Sequence, residues 1–234
     1  MYKKFMELFG KENLLDQAIR MTEKMLATDR EMFIASVESL RKKDHARLPF
    51  DIYEKDKEIN EYERLVRQNV LTHLTVSGIH NIVPGLVLVS IVIDVERIGD
   101  YTKNIIELAM AHPTRLEGGI FEKDLADIEK IVTERFDSIT GVISNMDIAA
   151  AKKIMSDHRN VSSRCDHIVT DIIQEKDKSL TPGAASTLAL YFRYLKRVAS
   201  HITNIASSIV NPFPRIGFSY QKSGSNNSTE DTES

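Results

Sequence analysis

Cysteine, tryptophan, glycine and proline are all scarce in this chain of 234 residues. It has one cysteine, Cys165, no tryptophan, ten glycines and six prolines. A single cysteine excludes an intramolecular disulfide and a cysteine-based zinc site, and it fits a reducing compartment. Because long stretches are rich in alanine, leucine, glutamate, lysine, methionine and isoleucine, the sequence predicts an all-α protein.

The chain also lacks an excess of one charge and a long hydrophobic run. Its formal net charge of -3 gives no reason to expect nucleic acid as a partner. The strongly apolar segment, residues 82–93, is too short to span a bilayer and is typical of a core helix. The first residues contain no apolar stretch of signal-peptide length. We therefore expect a cytoplasmic protein.

Apolar residues repeat in steps of three and four along six segments, which is the pattern of helices that bury one face. The expected helices cover residues 13–44, 51–75, 84–112 and 121–146, a segment around 161–172, and residues 182–210. The expected core seam of the first helix is formed by Leu14, Ala18, Met21, Met25, Thr28, Met32 and Ala35. Gly118-Gly119 mark the clearest break between segments.

The third and sixth segments are similar to each other. VIDVERIGDYTKNI, residues 92–105, aligns without gaps with FRYLKRVASHITNI, residues 192–205. The offset of 100 residues pairs Arg97 with Arg197. Helices one to three are therefore matched by helices four to six, and an internal repeat of this kind decides the fold. The sequence predicts two tandem three-helix bundles with short loops.

This duplication defines the expected domains. The first bundle should cover residues 1–117 and the second residues 118–220. The remaining residues, 221–234, contain no apolar side chain and should form a disordered tail.

The third helix carries an unusual pair of carboxylates directly after its apolar part. Glu96 and Asp100 are four residues apart, so they lie on one helix face. A buried carboxylate pair needs a cation, because unpaired buried charge is costly. The sequence leaves two alternatives open. The carboxylates either form a solvated face with Arg97, Lys103 or Arg67, or they bind a metal ion.

The run Asp94-Val95-Glu96-Arg97-Ile98-Gly99-Asp100, preceded by a helix with Asp56-x-x-Ile-Asn60, resembles the PhoU family of phosphate-uptake regulators. The resemblance covers about residues 14–210. It implies a two-bundle helical protein in the cytoplasm that represses phosphate-starvation signalling or damps phosphate import. It also implies metal binding by paired E/D-x-x-x-D motifs, with iron or zinc as the metal. Magnesium and manganese stay open.

The resemblance assigns metal ligands residue by residue. In the first repeat the ligands would be Asp56, Asn60, Glu96 and Asp100. At the rim of that site, further candidates are Glu63, Asp94 and Asn104. The matching positions of the second repeat are Ser162, Asp166, Lys196 and Ser200. Since only one of these four is a carboxylate and one is a cation, we expect the second site to be lost.

The histidines and the cysteine give little support to catalysis. Di-iron carboxylate bundles use Glu-x-x-His pairs, and none of the seven histidines follows a glutamate at that spacing. Cys165 and His73 lie on apolar seams, where an inert thiol and a hydrogen-bonded core histidine are expected. His167 and His201 could approach each other between helices five and six.

We therefore expect a non-enzymatic regulator that binds a phosphate transporter, a sensor histidine kinase or both at the membrane. A homodimer is an open alternative to a monomer. The main alternative function is a metal-free helical adaptor or binding module with no link to phosphate. A weaker one is a metal-dependent hydrolase.

Overall fold

The computed structural model describes residues 13–77 and 81–220, and within these ranges it contains helices and no β-strand. The six α-helices are α1 (Leu14–Lys42), α2 (Ile52–Ser77), α3 (Ile82–Ala111), α4 (Glu122–Asn145), α5 (Ile148–Ile173) and α6 (Pro182–Val210). There are also two short 3-10 helices in the described ranges. Gly119–Phe121 directly precedes α4, and Phe213–Arg215 follows α6. The predicted all-α fold is confirmed. The predicted tail, residues 221–234, lies outside the described residues.

Local capping explains where several helices begin. The Asn13 side chain accepts a hydrogen bond from the backbone N–H of Leu15, and Asp147 and Thr181 do the same for residues three positions later. Such side chains satisfy backbone donors that the first helical turn leaves free. Pro182, at the first position of α6, has no N–H to satisfy and a φ angle suited to a helix.

The core seam of α1 differs from the expected one. Leu14, Met21, Thr28 and Ala35 are only half-buried, and their neighbours Leu15, Thr22, Asp29 and Ser36 are buried instead. Because three of those buried neighbours are polar, apolar periodicity placed four of the seven seam residues one position too early. At the end of α4, Met146 is 63% exposed and adopts a left-handed conformation that caps the helix.

Each repeat forms a three-helix bundle. In repeat one, α1 packs against α2 and α3, and in repeat two, α6 packs against α4 and α5. The bundles lie side by side because α3 packs along α6, and α1 meets α4 through Phe33 and Phe136, whose ring centroids are 5.1 Å apart. One hydrophobic core therefore runs through both repeats. The domain boundary at residue 117 stays a prediction.

The connection between the repeats is held by Arg41 at the end of α1. Its guanidinium donates to the backbone carbonyl of Leu116 and to the carboxylates of Glu122 and Glu129. Gly119 follows with a φ of 55°, a left-handed conformation that glycine adopts without strain. The predicted break at Gly118-Gly119 thus coincides with the turn into α4.

Candidate metal centre

Helices α2 and α3 bring the predicted metal ligands of repeat one onto one surface. The side chains of Asp56, Glu96 and Asp100 are 16%, 18% and 31% exposed. Asn60 lies at the outer edge of this group, where its Nδ2 is 3.5 Å from Asp56 Oδ2. These four residues, with the cations beside them, are called the acidic face below.

Two cations occupy the acidic face. Lys103 Nζ lies 2.9 Å from Asp56 Oδ1 on α2 and 3.2 Å from Asp100 Oδ1 on α3, so it bridges the two helices. Arg97 lies 3.4 Å from Asp100 and 3.7 Å from Glu96. Of the basic residues named as alternative partners, Arg67 instead pairs with Glu63 at 2.6 Å. Among the residues that the structure describes, no three His, Cys, Asp or Glu side chains form a group that could hold a metal ion.

A fourth carboxylate, Asp29, lies beneath the acidic face. It comes from the middle of α1 and is 0% exposed, and neither of its oxygens has a hydrogen-bond partner in the described structure. Burial, followed by the negative charges of Glu96, Asp56 and Asp100, raises the pKa of Asp29 well above 3.8. Sequence reasoning missed this residue. The only signal was an acidic residue within an apolar repeat, four positions after Met25.

The acidic face keeps an unbalanced negative potential despite its two cations. Burial raises the pKa of Glu96, and repulsion by Asp100 adds to this effect while Arg97 opposes it. Glu63 and Asp56 repel Glu96 further. A carboxylate destabilised in this way gains from a proton or another cation. The acidic face can therefore attract a positive ion.

Two of the three candidates for the rim of this site can be placed. Glu63 lies close enough to repel Glu96, although it forms an ion pair with Arg67. Asp94 faces the other repeat, where its Oδ1 accepts from His201 Nδ1 at 2.8 Å and from Asn204 Nδ2 at 3.0 Å. Placing Asp94 at the metal rim was therefore wrong, because the side chain turns toward α6.

In repeat two, the corresponding surface contains an ion pair between α5 and α6. Lys196 Nζ lies 2.6 Å from Asp166 Oδ2. Ser200 Oγ donates to the backbone carbonyl of Lys196 at 2.8 Å and lies 3.5 Å from His158 Nε2. The ammonium of Lys196 thus lies beside the one carboxylate that repeat two retains at these positions.

The remaining candidates have structural environments. His73 is 6% exposed and its Nε2 lies 3.0 Å from Asn81 Nδ2, as expected for a core histidine. Burial raises the pKa of Cys165 to about 12, so its thiol is not reactive. His167 is exposed and lies 3.6 Å from Asp171, whereas His201 binds Asp94. The two histidines therefore have different partners in the described structure.

Comparison with known proteins identifies the family. A family model described as the PhoU domain matches the chain twice, at residues 22–109 and 125–209. The chain belongs to the PhoU family. The two matches agree with the predicted duplication. They place the acidic face in the first PhoU domain and the Lys196–Asp166 pair in the second.

Individual relatives agree with this assignment. A phosphate-specific transport system accessory protein PhoU homolog from Synechocystis sp. is 26% identical over 165 residues, which are 69% of this chain and 72% of that protein. The crystal structure of PhoU from Pseudomonas aeruginosa matches with a TM-score of 0.76 at 17% identity, covering 84% of this chain and 95% of that one. A phosphate transport system regulatory protein PhoU from Streptococcus pneumoniae has a TM-score of 0.65 at 17% identity, with coverages of 83% and 91%.

The donor atoms of the acidic face are of a type that binds divalent ions, although the described residues form no group of three ligands as they stand. Carboxylate and amide oxygens are good ligands for hard divalent cations, and Asp29 is an orphaned buried carboxylate directly below them. The bridge formed by Lys103 would have to open, since its ammonium lies between Asp56 and Asp100.

None of the helices in the described parts of the chain is long and apolar enough to cross a membrane.

Proposed function

We propose that this PhoU-family protein regulates phosphate uptake and phosphate-dependent signalling in the cytoplasm. It acts by binding a phosphate transporter or a sensor histidine kinase at the membrane. The observation that carries this proposal is the match of the PhoU domain to both repeats. The names of the relatives, an accessory protein and a regulatory protein of phosphate transport, support the same role.

The proposed mode of action is binding rather than catalysis. The thiol of Cys165 is buried in the core, and the carboxylates of the acidic face contact lysine and arginine. These contacts suit a surface that responds to cations better than a nucleophile and a base arranged around a substrate.

Exposed apolar side chains supply a docking region for the partner. They lie at the end of α2 and the beginning of α3, and their exposed fractions are 69% for Leu71, 49% for Val76, 43% for Ile82, 53% for Val83 and 38% for Leu86. Large apolar side chains grouped on a surface are typical of protein interaction sites. We assign the transporter or kinase to this region, which is called the α2–α3 tip.

A metal ion in repeat one is part of the proposal. Asp56, Glu96 and Asp100 would hold it, with Asn60 at the edge, once the Lys103 side chain has moved. The bound ion would neutralise the repulsion among these carboxylates and tie α2 to α3. The chemistry is charge compensation at a helix–helix contact, with no reaction step.

A second candidate is a metal-free regulator with the same partners. The bridge from Lys103 to Asp56 and Asp100 favours it, because the ammonium already supplies a positive charge between α2 and α3. In that case Lys103 would fix the surface that the partner recognises.

The experiment for the regulatory role is phosphate uptake by cells that lack this gene. Uptake of radiolabelled phosphate and expression of a phosphate-starvation reporter are measured in phosphate-rich medium. We expect both to rise in the deletion strain and to return to normal when the wild-type protein is supplied. Unchanged uptake together with an unchanged reporter would contradict the proposal.

Complementation with variants tests the docking region. Leu71→Ser combined with Val83→Ser should fail to restore repression, since it removes apolar contact area from the α2–α3 tip. Ile173→Ser is the matched control, because Ile173 is 73% exposed at the end of α5. Equal complementation by both proteins would place the partner elsewhere.

A further inference from the structure

Arg135 is a buried cation that contacts no counter-ion among the described residues. It lies on α4 and is 4% exposed. Its Nη1 makes only long contacts, at 3.5 Å to His158 Nδ1, 3.5 Å to the Ala199 carbonyl and 3.4 Å to Thr203 Oγ1. Its Nη2 is buried and has no hydrogen-bond partner among the residues described. An ionised guanidinium in such surroundings is costly unless an anion compensates it.

The groups nearest to Arg135 do not supply that compensation. Burial, and then the positive charges of Arg135 and Lys196, lower the pKa of His158 to about 4, so His158 is neutral at pH 7. Burial lowers the pKa of Arg135, and the largest opposing influence is the negative charge of Asp157. Asp157 nevertheless makes no ion pair with Arg135 in the described structure. It accepts a hydrogen bond from Ser156 Oγ at 3.2 Å.

Arg135 lines a cavity of about 730 Å³ between α4 and α5. The walls are partly apolar and include Ile131, Ile154 and Val161. Lys153 also lines the cavity and is exposed at its edge.

Most other charges in the cavity wall are already paired. Arg164 lies 2.6 Å from Asp124, Asp137 lies 2.6 Å from Arg30, and Glu134 lies 3.8 Å from Lys130. Arg135 and Lys153 are therefore the cations of this wall that have no ion-pair partner within the described ranges. Asp157 also lines the cavity and has no ion-pair partner in the described structure. The unpaired groups of the wall, two cations and one carboxylate, still carry a net positive charge, which suits a negatively charged ligand.

The Arg135 side chain reaches the place in repeat two that the Asp29 side chain reaches in repeat one. Asp29 lies against Gly99, since a Cβ added to Gly99 would be 2.9 Å from Asp29 Oδ1. Arg135 reaches Ala199, which the offset of 100 residues aligns with Gly99. The first helix of each repeat thus sends one buried charge toward the same place on the third helix, with opposite signs.

We infer that the cavity between α4 and α5 is a binding site for a small oxyanion, whose oxygens bind Arg135 at the inner wall and Lys153 at the edge. Guanidinium groups bind carboxylates and phosphates through two parallel hydrogen bonds. Nη2 is buried without a partner among the described residues, so the Arg135 side chain would turn toward the cavity to form the second bond. The site does not depend on the regulatory role proposed above, and each can fail without the other.

The test is thermal unfolding of the full chain with inorganic phosphate or phenyl phosphate, and with sodium chloride at equal ionic strength. Wild-type protein should melt about 3 to 6 °C higher when phosphate is in about tenfold excess over its Kd, whereas chloride should have little effect. Phenyl phosphate binding more tightly would indicate an oxyanion carried on a larger apolar molecule. Equal affinities would indicate a free ion.

Three variants separate specific binding from the general stabilisation that phosphate gives to proteins. Arg135→Met should lose most of the phosphate-dependent shift and, without phosphate, melt no lower than the wild type. Arg159→Gln removes an exposed arginine that does not line the cavity, so it should behave like the wild type. If Arg135→Met fails to fold, Lys153→Gln decides, with an expected loss in phosphate affinity of about threefold or more.

The inference would be overturned by a phosphate shift that is absent from the wild type or equal in all folded variants. It would also be overturned if Asp157 proved to be the counter-ion. In that case phosphate would have no effect on the wild type, and Asp157→Asn would lower the melting temperature as much as removal of a buried ion-pair partner does.

Discussion

Asp29 is the residue that most constrains how repeat one works. It is fully buried, lacks hydrogen-bond partners within the described residues and lies among other carboxylates. Proteins seldom retain a buried group in this state unless it has a role, because the desolvation cost lowers stability. Because Asp29 lies below the acidic face, a cation bound there would favour its ionised form and displace its proton.

We expect Asp29 to make the protein less stable as pH rises. Its pKa is raised on folding, so the folded chain holds a proton that the unfolded chain releases above about pH 4. The free energy of unfolding should therefore fall with increasing pH from about 4 up to the raised pKa. The Asp29→Asn variant has no titratable group at this position. Its free energy of unfolding should therefore exceed that of the wild type by about 1 kcal/mol or more at pH 7.

The measurement is urea unfolding at several pH values in the presence of a chelator. Asp16→Asn serves as the control, since Asp16 is exposed on the same helix, and its pH profile should run parallel to that of the wild type. A constant difference between Asp29→Asn and the wild type from pH 4 to pH 8 would show that Asp29 does not hold a proton.

At the scale of elements, α3 is the helix on which both neighbours of repeat one converge. A Cβ at Gly99 would meet Asp29 Oδ1 at 2.9 Å and Ile59 Cδ1 at 3.1 Å, so α1 and α2 both approach its backbone closely. Gly99→Ala should destabilise the protein by about 1 to 3 kcal/mol, because overpacking forces side chains or helices apart.

Gly141→Ala is the matched control for this prediction. Gly141 is exposed in the interior of α4, and the nearest atom to an added Cβ is Asn145 Nδ2 at 4.0 Å. Alanine there should stabilise the protein by about 0.5 to 1 kcal/mol through helix propensity alone. Chemical denaturation of both variants measures the two effects. Stabilisation by both substitutions would contradict the prediction, because it would mean that a methyl group fits at Gly99 without a steric clash.

The helices were predictable from sequence because apolar periodicity, glycines and prolines specify them locally. The seam of α1 was harder to predict, since Thr22, Asp29 and Ser36 occupy core positions that apolar patterns assign to neighbouring residues. Arg135 was missed for the same reason. It directly precedes the buried Phe136, and a charged residue next to a core position is normally exposed.

The site was predictable only in part. The spacing of Glu96 and Asp100 on one helix placed them on a common face. In the structure Lys103 joins Asp100 to Asp56 on the neighbouring helix, and the assignment of these residues as metal ligands stays a prediction. The direction of Asp94 depends on how α3 docks on α6, which periodicity within a single helix cannot specify.

At the scale of the whole molecule, the two repeats are joined by α3 and α6. His201 Nδ1 and Asn204 Nδ2 both bind Asp94 Oδ1, and the ring of His201 stacks on Tyr101 at 5.7 Å between centroids. These polar contacts lie beside the shared hydrophobic core and link the helices that the duplication made equivalent.

We expect His201→Ala to destabilise the whole molecule by about 1 to 2 kcal/mol, because Asp94 loses a hydrogen bond in a partly buried place. Calorimetry should show a lower melting temperature with a single transition, since one core runs through both repeats. His167→Ala is the control and should have little effect, because the His167 side chain is 74% exposed. Two separate transitions would show that the repeats unfold independently.

The central claim is that repeat one retains a cation site and repeat two does not. Elemental analysis and titration with Zn²⁺, Mn²⁺ or ferrous iron test it most directly. Four proteins are compared: the wild type, Glu96→Ala with Asp100→Ala, Asp166→Ala, and Lys103→Met. Loss of two ligands should remove most of the affinity, whereas Lys103→Met should bind about tenfold more tightly because it lacks the competing ammonium.

The predicted result of this titration is metal bound by the wild type and by Asp166→Ala, tighter binding by Lys103→Met, and none by the double variant. Metal retained by the double variant would place the site elsewhere in the chain. Absence of metal from all four proteins would contradict the claim and leave Lys103 and Arg97 as the cations of the acidic face.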